Sequence, residues 1–363
     1  MNIVKKLATA VLAISLVVCV TGCHKKNEVA VKIGDVEFTS AYYMCALINA
    51  DTEARSKVEE NLKDDKKADT SNVNYYSKKI DKKNYVDWVK DTAMESLKKI
   101  AAYKIKCKEA KIKLKDEDES NAKLYASYYW SNYGYSQIYE PNGVSEETFK
   151  NYMVDSSYAT RYFEHVYGKG GEKEISADEV KSTMLENFVI ADLIEVSFSE
   201  KEESEIATLK DQFNAYAEAL KKGTKDFETV YHEYNGEEEH TDEQQAEDGE
   251  PKPLDSHATI LGTEDTSYAS DRYETVKAMA VNEVKLVEDE DNAGLALIVK
   301  KDIGADPYYL DNLDLSIRQL VKQDEFDKDI EKFVKTLKIE KSDYAINQFK
   351  VKKIKYPEQA QQA

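Results

Sequence analysis

The sequence predicts an α+β protein in which helical segments from both ends of the chain form one domain and a sheet-containing domain is inserted between them. Three observations predict this arrangement. Residues 85–112 carry apolar side chains at three- and four-residue steps, residues 188–198 switch to the pattern of a strand, and residues 306–337 return to helical spacing. Neither terminal stripe is stable in water, so we expect the two outer segments to pack together.

The chain opens with the pattern of a bacterial lipoprotein signal. Two lysines precede the apolar run Leu7–Val20, which is too short to span a bilayer permanently, and the small residues 21–22 lead to Cys23. We therefore expect residues 1–22 to be removed and the Cys23 thiol to carry a diacylglyceryl anchor on the tether 23–28, at the extracytoplasmic face of the cell membrane. The alternative is an ordinary secretory signal in which the cysteine is incidental.

Charge, cysteine content and histidine positions argue against several classes of function and site. The net charge of −19 repels nucleic acid, and removal of the signal, which holds two lysines and no acids, makes the chain more negative still. Cys45 and Cys107 lie on predicted helices, and two buried free thiols are favoured over a disulfide. His232 and His240 stand beside acids, a coincidence expected of an acidic segment, so neither a metal nor a cofactor is predicted.

The N-terminal elements follow from local patterns. Residues 29–38 (VAVKIGDVEF) predict two short strands joined by a Gly-Asp turn, with a helix continuing through Leu47. The stretch 64–83, rich in lysine and aspartate, is predicted to be an exposed loop. Helices are then expected over 85–112, 116–139 and 145–167, before a glycine-rich break.

The inserted segment and the tail complete the order. A capping box at 176–179 opens a helix that leads into strand 188–198, and helices follow over 201–221 and from Lys225. Residues 236–253, eight acids followed by two prolines, predict a solvated acidic loop, after which come strand 258–261, helix 270–279 and strand 293–301. In the helical tail the apolar stripe shifts near Gln323, which predicts a bend or break.

Three segments carry a family resemblance. Residues 29–38 resemble the opening "V-a-x-V-n-G-x-x-I", residues 97–115 the helix "I-x-x-k-l-x-x-x-A-K-x-x-x-I", and residues 175–187 the stretch "v-t-d-x-e-v-k-x-y-y-x-x-n" of the PrsA-type foldase lipoproteins, relatives of the chaperone SurA and of the parvulin prolyl isomerases. As order and pattern, the resemblance covers nearly the whole mature chain. It implies a helical chaperone domain from residues 29–187 and 304–363, with a parvulin-like domain inserted at 188–303.

The resemblance also locates a degenerate catalytic site. Parvulins surround the twisting prolyl amide with two histidines and a cysteine or aspartate, beside an apolar pocket for the ring. In this chain the histidine positions are Leu193 and Ala296, the cysteine or aspartate position falls near Glu237, and the pocket positions fall near Tyr268 and Tyr273. Because both imidazoles are replaced, weak or absent isomerase activity is expected. Residual activity stays open, since lowering the rotational barrier does not require acid–base chemistry.

A dense aromatic cluster is the candidate surface for clients. Its seven rings within fifteen residues exceed what one helix face can bury, so some are expected in the core and others on a binding surface. The cluster consists of Tyr125, Tyr128, Tyr129, Trp130, Tyr133, Tyr135 and Tyr139.

Together these features predict a membrane-anchored folding factor that holds unfolded, newly exported polypeptides without ATP. The nearest alternative is an active prolyl isomerase with altered pocket chemistry. A solute-binding lipoprotein would need two lobes of repeated strand–helix units, which the helical outer segments do not favour. A purely adhesive surface protein is a further alternative, and a homodimer is left open.

Overall fold

The computed structural model describes residues 28–63, 73–236, 257–289 and 294–357. The predicted signal peptide, the lipidation site Cys23 and nearly all of the acidic loop lie outside these residues. The chain divides into two compact units, one formed by Met1–Val166 with Asp324–Ala363 and the other by Tyr167–Gln323. The predicted α+β fold is confirmed. One of the two units is built from both ends of the chain.

Helices and strands are numbered along the chain. The helices are α1 (Ser40–Lys63), α2 (Tyr85–Glu109), α3 (Asp116–Asn132), α4 (Tyr135–Tyr139), α5 (Glu146–Tyr167), α6 (Ala177–Asn187), α7 (Glu203–Lys221), α8 (Phe227–Asn235), α9 (Tyr273–Ala278), α10 (Pro307–Val334) and α11 (Asp343–Asn347). The strands are β1 (Val29–Ile33), β2 (Val36–Thr39), β3 (Lys79–Ile80), β4 (Lys83–Asn84), β5 (Phe188–Ser197), β6 (Ala258–Gly262), β7 (Val284–Asp289), β8 (Gly294–Lys301) and β9 (Ile339–Lys341).

A small sheet joins the two ends of the chain in the first unit. Its strand order is β2-β1-β9, with β1 antiparallel to both neighbours. Gly34, at φ +60°, makes the tight turn between β1 and β2, a backbone conformation that glycine adopts readily. On the other side of β1, Ile33 pairs with Ile339 of the C-terminal segment. This pairing fixes the tail beside the N-terminal strand.

The core of the first unit is built around α1 and α2. Leu97, Ile100 and Cys107 of the predicted α2 stripe are buried, and Leu97 and Ile100 share one core cluster with Leu47 and Ile48 of α1. The helical spacing of Leu97, Ile100 and Cys107 places these three residues on one side of α2, which is the buried side. The periodicity of residues 85–112 therefore identified the buried face correctly.

The predicted loop over residues 64–83 is partly wrong. Residues 64–72 lie outside the described part of the chain, but β3 and β4 form a two-stranded hairpin closed by Asp81 and Lys82. Both turn residues have positive φ, 49° and 67°. Hairpin turns of this kind usually contain glycine or asparagine, and here the two turn positions are aspartate and lysine. Aspartate tolerates a positive φ, but lysine seldom adopts it, so no signal in the sequence indicated this hairpin.

The predicted helix over residues 116–139 is interrupted. Helix α3 ends at Asn132, and α4 begins at Tyr135 after Gly134, which has φ +71°. A left-handed residue cannot continue a right-handed helix, so the chain changes direction there. The aromatic cluster is consequently divided between two helices.

The second unit contains an antiparallel sheet of order β6-β5-β8-β7. Phe213 of α7 and Phe227 of α8 are buried against one of its faces, with Ile194 and Leu297. Helix α9 covers the other face, where Val276 is buried. The sheet is therefore apolar on both sides, which explains the nearly continuous apolar sequence of β5.

This compact unit extends beyond the predicted boundaries of residues 188 and 303. Met184 of α6 and Leu313 of α10 are buried in one cluster with Phe188 at the start of β5. The buried Arg318 guanidinium strengthens this end of the unit, because its Nη1 donates to the carbonyl oxygens of Tyr167 (2.9 Å) and Ile175 (3.0 Å). Whether residues 188–303 form a parvulin domain within the larger unit remains a prediction.

A bend or break was predicted near Gln323; helix α10 is continuous there, so the break does not occur. The apolar stripe shifts because the helix changes partners: Leu313 and Ile317 are buried in the second unit, whereas Phe326 and Ile330 belong to the segment assigned to the first. A change of packing partner alters the buried face without interrupting the backbone hydrogen bonds.

The two described cysteines are free thiols, as favoured from the sequence. Cys45 and Cys107 are both fully buried. Burial raises the pKa of the Cys107 thiol to about 11, so it is protonated and unreactive at neutral pH. Among the residues that the structure describes, none of the helices has the length and apolarity needed to cross a bilayer.

Candidate functional site

Helix α3 presents much of the aromatic cluster. Acidic residues fill its first turn, where they interact favourably with the helix dipole, and the Asp118 carboxylate accepts a hydrogen bond from the Lys115 backbone N–H at 3.2 Å. Its buried residues are Ala126 and Trp130, one helical turn apart. Because only this narrow face is anchored in the core, the side chains on the opposite face are left at the surface.

The predicted client-binding residues fall into three groups. Trp130 and Tyr139 are core residues, 6% and 3% exposed. Tyr129 and Tyr135 are half-buried and pack against the core with their rings 5.6 Å apart. The remaining three are the exposed ones: Tyr125 (57%), Tyr128 (51%) and Tyr133 (61%).

We name this surface the tyrosine patch; it consists of the exposed Leu124, Tyr125, Tyr128 and Tyr133 together with the half-buried Tyr129. Leu124, which is 66% exposed, was not identified from the sequence. Within the patch, the Tyr133 ring centroid lies 5.5 Å from that of Tyr128 and 5.4 Å from that of Tyr129. These mutual contacts hold large apolar rings in place at the surface.

A cleft of about 510 Å³ opens beside the tyrosine patch, between α3 and α5. Tyr125 and Tyr129 line one side, and Met153, Ser157 and Arg161 line the other. The lining combines aromatic rings and a flexible thioether with hydroxyl groups and charge. A cleft of this size and composition can take a short segment of polypeptide, with polar groups available for its backbone.

The α5 residues of the cleft were not identified from the sequence. Met153, Ser157 and Arg161 recur every four residues, a spacing that places them along one side of the helix. This spacing was the available signal, but it is equally typical of a helix packed in a core. Arg161 is fixed by Glu164, with Nη1 and Oε2 3.0 Å apart, and its Nε donates to the Lys113 carbonyl at 3.3 Å.

The two positions that the resemblance assigned to parvulin histidines lie on one face of the sheet in the second unit. Leu193 of β5 pairs with Ile298 of β8, and Ala296 pairs with Glu195, so the two positions are diagonal neighbours on adjacent strands. Ala296 is fully buried. It shares an apolar cluster with Leu193 and with Tyr273 of α9. Apolar packing thus occupies the region between the two positions.

The other three predicted site residues are placed differently. Tyr273 lies in the same cluster as Ala296, and its hydroxyl donates to the Glu186 carbonyl oxygen. Tyr268 packs in another cluster, with its ring 6.1 Å from that of Phe188. Glu237 lies outside the described residues. The structure therefore brings together Leu193, Tyr273 and Ala296, but not Tyr268.

The second unit also contains a set of residues that can hold a metal ion. Glu228 and His232 of α8 lie beside His257, and one potential ligand atom from each is within 4.8 Å of the other two. His257 was not identified from the sequence, because 24 residues separate it from His232. His240, the other histidine weighed there, lies outside the described residues.

No protein-family model matches the sequence, and no curated protein matches it with significant similarity. Solved structures do resemble it. The PrsA foldase of Streptococcus pneumoniae is 12% identical, with 74% of this chain and 86% of that chain covered, at a TM-score of 0.38. The foldase protein PrsA of Lactococcus lactis is 15% identical, with 72% and 89% covered and a TM-score of 0.37.

PrsA from Bacillus subtilis is 14% identical, with 69% of this chain and 86% of that chain covered, at a TM-score of 0.33. In structure, this chain is similar to PrsA foldases from several bacteria.

Proposed function

We propose that this protein is a lipid-anchored, extracytoplasmic folding factor that transiently holds newly exported polypeptides at the tyrosine patch. The observation that carries the proposal is the cluster of exposed rings on α3 beside an open cleft. A contiguous exposed apolar patch is unfavourable for a monomeric protein unless it binds something. Tyrosine suits this role because its large, rigid ring contributes contact area at a low entropy cost.

The chemistry of the patch favours extended or unfolded chains over a small molecule. Its rings form a broad surface, whereas the neighbouring cleft offers polar groups such as Ser157 and Arg161. Several weak apolar contacts over such a surface give modest affinity and rapid release, which a holding factor needs where ATP is lacking. Anchoring through Cys23 would keep the patch close to the membrane at which exported chains emerge.

Replacing the three most exposed tyrosines tests the proposal. We expect the triple variant Tyr125→Ser, Tyr128→Ser, Tyr133→Ser to bind an unfolded, labelled polypeptide at least about tenfold more weakly, because each lost aromatic anchor costs roughly 1 kcal/mol or more. The free energy of unfolding should change by less than about 1 kcal/mol, since these side chains are largely exposed. Fluorescence anisotropy and denaturant titration measure the two quantities.

The matched control is Tyr344→Ser. Tyr344 is 63% exposed, as much as the patch residues, but lies on α11 outside the patch. This control should bind the unfolded polypeptide with unchanged affinity. Equal binding by the triple variant and the unsubstituted protein would exclude the tyrosine patch as the client site.

The second candidate function is prolyl isomerisation, favoured by the apolar cluster around Leu193 and Tyr273. We propose that this activity is weak or absent, because both histidine positions carry aliphatic side chains and Ala296 is fully buried. The purified protein should leave the proline-limited refolding of a test protein at its spontaneous rate, with time constants of tens to hundreds of seconds.

A parvulin with both histidines provides the positive control in the same assay. Acceleration of comparable size by the present protein would contradict the inactive assignment and favour an isomerase with altered pocket chemistry. Because clients are proposed to bind in the other unit, loss of the tyrosine patch should not alter the outcome of this assay.

A further inference from the structure

The structure assigns a divalent metal site of the zinc type to Glu228, His232 and His257, separate from both the tyrosine patch and the sheet face around Ala296. Helix α8 and the residue that immediately precedes β6 bring these side chains together. One ligand atom from each lies within 4.8 Å of the other two.

The helix supplies two of the three ligands by its geometry. Glu228 and His232 are four residues apart, so their side chains lie on the same side of α8. Their Oε1 and Nε2 atoms are 3.8 Å apart, too far for a direct hydrogen bond. Two ligands bound to one tetrahedral zinc ion at about 2.0–2.1 Å are separated by roughly 3.4 Å. The observed spacing is therefore close to that of a shared metal.

Aromatic packing holds the third ligand in place. The His257 ring centroid lies 4.4 Å from that of Tyr231 and 6.1 Å from that of Phe227. The rings of His257 and His232 are 5.9 Å apart and nearly perpendicular. To bring all three ligand atoms to tetrahedral spacing, the widest separation has to shorten by no more than about 1.4 Å. Side-chain rotation can supply a movement of that size.

The donor set selects the type of metal. Two imidazole nitrogens and one carboxylate oxygen suit zinc and neighbouring transition metals, whereas calcium and magnesium prefer oxygen ligands throughout. His232 is only 7% exposed, while the Glu228 side chain is 56% exposed. The set thus has a buried base and an open side, and its three protein ligands leave a fourth position for water or another ligand.

The site has a structural consequence for the second unit. His232 precedes the acidic segment and His257 follows it, so a bound ion would tie together the two ends of this stretch of sequence. Such a link stabilises the folded unit, because it restricts the unfolded chain and because metal binds the assembled ligands. We therefore expect zinc to raise the midpoint of thermal unfolding of the second unit.

Zinc titration of the purified protein tests the site. Isothermal titration calorimetry should give one equivalent of Zn²⁺ in addition to any weak binding by acidic residues. Replacing His257 by phenylalanine keeps an aromatic ring against Tyr231 but removes the ligand, and should weaken this binding at least about tenfold and abolish the rise in unfolding temperature. Glu228→Gln should also weaken zinc binding, and it should do so without disturbing the buried ring of His232.

Two histidine controls separate the site from non-specific binding. His165→Ala removes a surface histidine from the first unit, and His240→Ala removes the one within the acidic segment. Both should retain full zinc affinity. Binding of Co²⁺ should give the intense visible absorption of a four- or five-coordinate ion, lost in His257→Phe. Equal zinc affinity of His257→Phe and the unsubstituted protein, or displacement of zinc by an equal concentration of Ca²⁺, would overturn the assignment.

Discussion

Replacing Asp51 by alanine is expected to lower the free energy of unfolding of the first unit by about 3–5 kcal/mol. Asp51 is fully buried. Its carboxylate accepts hydrogen bonds from the hydroxyls of Tyr85 (2.9 Å) and Tyr356 (2.7 Å) and from Arg55 Nε (3.0 Å). In the alanine variant, two hydroxyls and a guanidinium would lose this acceptor. Because the site is buried and largely shielded from water, the loss of a hydrogen-bonding partner is costly there.

The neighbouring rings add to the expected effect. The Arg55 guanidinium carbon lies 4.5 Å from the ring centroid of Tyr75 and 4.3 Å from that of Tyr356. Arg55 is thus positioned by Asp51 between two aromatic rings, one of them from the C-terminal segment. The Asp51 carboxylate therefore connects α1, α2 and the tail in one hydrogen-bonded group.

Tryptophan fluorescence can follow this unit alone, because the chain's two tryptophans, Trp88 and Trp130, both belong to it. Glu53→Ala is the matched control on the same helix, since Glu53 is exposed and pairs with Lys57 only at 3.8 Å. It should change the free energy of unfolding by less than about 1 kcal/mol. A similarly small effect of Asp51→Ala on the fluorescence transition in urea would contradict the proposed role of the buried carboxylate.

A second large effect is expected for Phe326→Ala, about 3–5 kcal/mol of destabilisation of the same unit. Phe326 on α10 is 3% exposed. Its ring stacks on Tyr103 with the centroids 5.7 Å apart, and meets Phe163 edge to face at 5.2 Å. Truncation removes these contacts and leaves a cavity between the C-terminal helix and the N-terminal ones, which the surrounding side chains can fill only in part.

Phe333→Ala provides the comparison on the same helix. Phe333 is half-buried, and its ring lies under the Lys106 ammonium at 3.9 Å. We expect its truncation to cost roughly 1–2 kcal/mol, less than that of Phe326, because part of its surface already faces water. Tryptophan fluorescence can follow the unfolding of both variants in urea. Equal urea midpoints for the two variants would show that the tail is not anchored through Phe326.

Local pattern predicted much of the fold. The stripe through Leu97, Ile100 and Cys107 identified the buried side of α2, and the capping box at Ser176 correctly marked the start of α6, where the Ser176 hydroxyl accepts from the Glu179 backbone N–H at 3.2 Å. These features repeat every few residues or depend on a single turn. A sequence records such relations directly, because neighbours in the chain are neighbours in the structure.

The candidate site was predicted less completely. The aromatic density of residues 125–139 indicated a binding surface, but it did not separate the buried Trp130 from the exposed Tyr128. That division depends on where Gly134 redirects the chain and on which side of α3 meets the core. Cleft residues such as Met153 were missed because their partners on α3 lie more than 20 residues away.

By itself, the sequence determined the positions of the main helices and strands and the apolar sides of the long helices, whereas the replacement of both parvulin-type histidines is what its family resemblance implies. Tertiary structure alone decided that Tyr356 would meet Asp51, that Ala296 would be sealed beside Tyr273, and that His257 would face Glu228 and His232. Contacts between distant residues depend on how whole elements pack, and they leave no periodic trace in the chain.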